Sequence, residues 1–79
     1  MKVTLYPASQ PPKTVEVSSF SDIQKLVGGD IGTAKRTSMG DLLVNDESLL
    51  INLPRNQHYT SLAGDVVLAP KGWEDLPLR

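Results

Sequence analysis

Between Ser19 and Gly29 the chain has room for a single helix of about two turns, and a helix that short cannot stand alone in water. Ser21-Asp22-Ile23-Gln24 reads as a capping box: the Ser21 hydroxyl accepts from the backbone N–H three residues on, and Gln24 reaches back to the cap. Ser19 is the competing cap. Ile23, Leu26 and Val27 fall at i, i+3 and i+4 and so share one face, and Gly28-Gly29 ends the helix because glycine enters the left-handed region without a Cβ penalty. Such a face has to lie on a sheet.

The flanking segments supply the strands. In residues 2 to 6, Val3 and Leu5 alternate with Lys2, Thr4 and Tyr6, and in residues 13 to 18, Val15 and Val17 alternate with Thr14, Glu16 and Ser18. Pro7 and the Pro11-Pro12 pair separate the two, which predicts an antiparallel hairpin across a proline-rich loop. After the glycines, residues 30 to 37 are weakly extended, Ser38-Met39-Gly40-Asp41 supplies turn chemistry, and residues 42 to 45 form a strand. Leu42-Leu43-Val44 and Leu49-Leu50-Ile51 are continuous apolar runs, the pattern of strands buried on both sides or at an oligomer interface. Residues 55 to 64 read as a polar loop, and Val66-Val67-Leu68 as a last strand before Pro70.

The order predicts a small α+β domain: an opening β-hairpin and one short helix packed on a mixed or antiparallel sheet, compatible with a β-grasp arrangement. Residues 1–69 form the domain and residues 70–79 a C-terminal tail, folded back by Trp73 and Leu76.

Composition narrows the function. The 22 Val, Ile, Leu and Phe among 79 residues exceed the ~20% below which disorder is the default reading. A core this small gives roughly 3 to 5 kcal/mol, and with no cysteine to form a disulfide, self-association into a homo-oligomer is a natural way to bury more surface. The missing cysteine also fits a reducing compartment, hence the cytoplasm. No apolar run is long enough to enter a membrane. Eight basic and nine acidic residues are interspersed, leaving a formal net charge of -1, without the basic excess of a nucleic-acid binder.

Catalytic chemistry finds no residues to stand on. His58 is the only histidine, too little for a zinc site, and no acid and base pair can be named, so neither a catalytic residue, a metal nor a cofactor is expected. Gly28-Gly29-Asp30-Ile31-Gly32 has no lysine directly after Gly32 and is not a Walker loop. The candidates are for binding. Lys35, Arg36, Thr37 and Ser38 can all donate to phosphate oxygens, with Arg55 a third cation if it lies nearby. Asn56, His58 and Tyr59 offer a hydrogen-bonding and stacking surface, while Leu49, Leu50 and Ile51 offer an apolar interface.

Four short stretches then fall in one order: Ile23-Gln24-Lys25-Leu26-Val27-Gly28-Gly29, Val44-Asn45-Asp46-Glu47, Leu53-Pro54-Arg55-Asn56 and Gly64-Asp65-Val66-Val67. Together they resemble a domain-of-unknown-function family numbered 3846, found in phages, large DNA viruses, mobile elements and some bacteria, over roughly residues 15 to 69. Asp30 and Ser48 depart from its pattern, which has an aromatic residue after the double glycine and a glycine in the later turn. The resemblance implies an origin in phage or a similar element and carries over no catalytic residue. The expected function is therefore that of a non-enzymatic, phage-type accessory protein that antagonises a host process, antiviral defence first, by binding and inhibiting a host protein. The alternative is a sponge that sequesters a nucleotide immune signal, either a cyclic oligonucleotide or an NAD-derived molecule.

Overall fold

A computed structural model describes residues 1–48 and 52–79. Strand β1 (Lys2–Tyr6) pairs antiparallel with β2 (Lys13–Glu16), Val3 opposite Val15, as the alternation predicts. Helix α1 (Phe20–Val27) follows, then β3 (Ile31–Thr37), β4 (Gly40–Asn45) and β5 (Val66–Ala69). The sheet order is β2-β1-β5-β4-β3 and every strand pairing is antiparallel. Of the two sheet types the sequence left open, the antiparallel one forms, and the parallel pair of a mixed sheet is absent among the described residues. Leu49, Leu50 and Ile51 lie outside the described residues.

The core lies between α1 and one face of the sheet. Ile23 and Val27 project from the helix onto Val3 and Leu5 of β1, Leu43 of β4, and Val67 and Ala69 of β5. Trp73, in a 3₁₀ turn (Trp73–Asp75), enters the same core and meets Phe20 edge-on, ring centroids 5.6 Å apart. Residues 70–79 thus return to the helix, with Trp73 buried and Leu76 half-buried.

The helix starts two residues earlier than the capping-box reading places it. Ser19, not Ser21, is the cap: it holds an extended backbone and its hydroxyl accepts from Asp22 N–H. The earlier start brings Phe20 onto the helix, where it packs against Trp73, and frees Asp22 to reach back. Its carboxylate accepts from Ser18 N–H at 2.9 Å and from the Ser18 hydroxyl at 3.0 Å. Those bonds hold the Asp22 carboxyl below its ordinary pKa, the backbone bond first. A lowered folded pKa stabilises the fold above the unfolded value, and the contribution is lost as the pH falls through the folded one. Phe20 and Ser21 N–H, which a helix end leaves without internal partners, donate to the carbonyls of Pro77 and Leu78 at 2.8 and 3.1 Å. Gly28 closes the other end at φ 81°.

Ile23 is fully buried while its neighbour Gln24 is exposed. Ile23→Ala should cost about 2 to 5 kcal/mol, comparable with all that a core of this size supplies, so urea titration followed by circular dichroism should find it largely unfolded. Gln24→Ala should leave the midpoint where it is in the native protein.

Candidate functional site

The sheet has a second face, away from α1. Alternation puts Tyr6 of β1, Val66 and Leu68 of β5 and Leu42 of β4 there, and no helix covers them among the described residues. The cover is residues 52–64, which contain only an isolated bridge, Arg55 to Ala63. Adjacent Leu42 and Leu43 are both buried for this reason: one faces the helix side and the other the loop side.

Asn56 holds that loop down. Its side-chain amide donates to the carbonyls of Tyr6 at 2.8 Å and Gly64 at 2.9 Å, and its Oδ1 accepts from the N–H groups of His58 and Tyr59. With no exposed surface left, Asn56 is an internal clamp and not the surface hydrogen-bonder expected from its polar neighbours. Around it, Gln57 N–H donates to Ala8 carbonyl, and Asp65 Oδ1 accepts from Ala8 N–H. Gly64 takes φ 77°, where a Cβ would also run into Leu53.

The clamp orders an aromatic group. Tyr59 meets Tyr6 edge-on at 5.0 Å, and His58 tilts against the same Tyr6 at 5.5 Å with its Nε2 2.7 Å from the Gln10 carbonyl. Burial raises the Tyr59 phenol above its ordinary pKa, and the hydrogen bond and charge interaction with Tyr6 add to it. The neutral phenol it favours stabilises the fold below the ordinary value and is lost as the pH rises through the raised one.

Between this loop and the turn joining β3 to β4 lies a groove of about 430 Å³. Leu42 and Leu68 line it together with Tyr59, Leu62, Met39 and Lys35. Met39 stands 77% exposed at the turn, where Thr37 Oγ1 donates to the Gly40 carbonyl and accepts from Met39 N–H.

The cations grouped in the sequence are dispersed in space. An irregularity between Thr33 and Lys35 shifts the β3 register, so that Lys35 stands opposite Leu42 at the groove while Arg36 stands opposite Asp41 on the helix side. Arg36 Nη1 lies 3.7 Å from the Asp41 carboxylate and 3.6 Å from Glu74, and the Asp41 carboxylate also accepts from Trp73 Nε1–H at 2.8 Å. Arg55 donates to the Thr60 carbonyl. Of the expected binding residues, Lys35 and Tyr59 meet at the groove; His58 stays beside Tyr6, and Arg36 and Arg55 are engaged elsewhere. Met39, Leu42, Leu62 and Leu68 line the groove without being among the expected binding residues, although the run at Leu42 reads as a strand buried on both sides. The consecutive leucines at 42 and 43 were the available signal, since only a strand covered on both faces has use for them.

The model of the family described as Domain of unknown function (DUF3846) matches residues 1–77. No curated protein and no solved structure matches the chain.

Replacing Asn56 by Ala leaves two carbonyls and two N–H groups without their partner, at about 1 to 3 kcal/mol for each group that stays buried. Hydrogen exchange should accelerate first at His58 and Tyr59, at denaturant concentrations where the β1–β2 amides stay protected.

Proposed function

The chain belongs to the DUF3846 family, and we propose that this member is a non-enzymatic, phage-type accessory protein that antagonises a host process, antiviral defence first, by binding and blocking a host protein in the host cytoplasm. The observation that carries the binding half is the groove on the second sheet face: an apolar floor of Leu42 and Leu68, a pinned aromatic wall at Tyr59, and an exposed Met39 at its lip. Rigid aromatics and methionine suit a protein contact, because they bring large apolar area with little ordering cost or with an adaptable fit. The antagonist half rests on what the sequence resemblance implies, an origin in phage or a similar element.

A nucleotide signal fits the same groove less well. Its phosphates call for several converging cations, and among the described residues Lys35 is the one cation that lines the groove, with Arg36 turned to Asp41 and Glu74 and Arg55 to Thr60. Self-association belongs to the same proposal, through the apolar run Leu49-Leu50-Ile51 in the sequence.

Affinity capture from host lysate tests the reading. The native protein should retain one host protein in stoichiometric amount, and Met39→Glu and Tyr59→Ala should retain at least tenfold less while keeping the native circular dichroism spectrum. Equal capture by all three overturns it. So does a rise of several degrees in melting temperature with a cyclic oligonucleotide or an NAD-derived signal, since a ligand that binds the native state stabilises it by mass action.

A further inference from the structure

The groove runs beside an unused edge. β3 is the last strand of the sheet, and among the described residues nothing pairs with its outer side along seven residues. Thr33, Ala34, Lys35 and Arg36 are all exposed. A row of free backbone N–H and C=O groups is a template for another strand, and where a pocket lies alongside, the backbone bonds supply affinity and the side chains entering the pocket supply selectivity. The opposite edge, β2, is four residues long and preceded by Pro11 and Pro12, which have no N–H to offer.

Charge says what kind of strand would add there. Among the described residues, Lys35 is the only charged one lining the groove, no carboxylate lines it, and the remaining lining is apolar or hydroxyl-bearing. Arg36, one residue on, turns to the other face and already faces Asp41 and Glu74. A second copy of the chain is a poor occupant: pairing β3 with itself would bring two Lys35–Arg36 pairs onto one short ladder, and the irregularity after Thr33 interrupts its register. An acidic strand avoids the like-charge ladder and meets the irregularity once, where a second copy would meet it twice.

Resting on the protein-binding reading above, we infer that β3 receives an extended acidic segment of the partner protein as a sixth, edge strand, with one of its apolar side chains in the groove between Met39 and Tyr59 and a carboxylate two residues along, on the same face, at Lys35. Lys35, Met39 and the register irregularity then set which segment fits. The backbone of residues 32 to 36 supplies the hydrogen bonds.

A library of random ten-residue peptides, selected against the whole protein, tests this directly. Enriched peptides should carry an apolar and an acidic residue two positions apart, on one strand face; the best of them, synthesised, should slow hydrogen exchange of the outward-facing amides among residues 32 to 36 at least tenfold. Its affinity should fall at least tenfold with Lys35→Glu and with Met39→Asp, both at exposed positions where the fold survives. No enrichment, enrichment of basic peptides, protection centred on another element, or undiminished binding to Lys35→Glu overturns the inference. The two readings fail separately. If lysate capture depends on Met39 but no peptide is enriched, strand addition falls and the host-protein reading stands. If peptides bind at β3 while capture ignores Met39, the host-protein reading falls alone.

Discussion

An eight-residue helix is about 12 Å long, whereas five strands spaced ~4.8 Å apart set their outermost members about 19 Å from each other. That mismatch between helix and sheet governs the rest of the molecule. Ile23 and Val27 cover the middle of the sheet, and the uncovered side needs another large apolar group, which Trp73 provides. An indole buried there must find an acceptor for its N–H, and Asp41 is that acceptor. A buried carboxylate in turn needs a positive neighbour, and Arg36 reaches it from β3. One shortage of apolar cover thus leads, step by step, to a charged group at the start of β4.

The second face meets the same shortage by other means. Lacking a helix, it is covered by a loop, and a loop over apolar side chains must satisfy its own backbone groups. Asn56 does much of this alone, because one carboxamide offers two donors and an acceptor oxygen. The cover stops at Tyr59 and Leu62, short of the β3–β4 turn, and the groove is the space that remains. A similar clamp works on the helix side, where Asn45 donates to the Val27 carbonyl and accepts from Glu47 N–H, its side chain lying against Gly29.

Legibility in the sequence followed the range of the interactions. The opening hairpin, the stop at Gly28 and the strand at Val66 were readable because alternation and left-handed glycine act over a few residues. The cap was misplaced from Ser19 to Ser21 because both serines satisfy the local pattern, and the choice is made by Trp73, Pro77 and Leu78, more than fifty residues downstream. Lys35 and Arg36 looked like a pair of phosphate donors, although neighbours in a strand face opposite sides; the composition of the run drew attention away from its geometry. Asn56 reads in the sequence as a surface hydrogen-bonding residue, but its direction, inward to Tyr6 and Gly64, depends on strand order, which no local pattern encodes. The groove was illegible for the same reason, since Leu42, Leu68 and Tyr59 meet only once β4 and β5 are neighbours.

The carbonyls of Pro77 and Leu78 finish the helix that begins at Phe20, so its first turn is completed by residues more than fifty positions downstream. During synthesis, α1 and its strands leave the ribosome with those two amides still open and with Trp73 missing from the core. Contacts of such long range are formed late and close large loops. Until residue 78 is in place the core is therefore incomplete, and the apolar groups that Trp73 will cover stay open, the state in which a nascent chain of this kind is most exposed to wrong contacts.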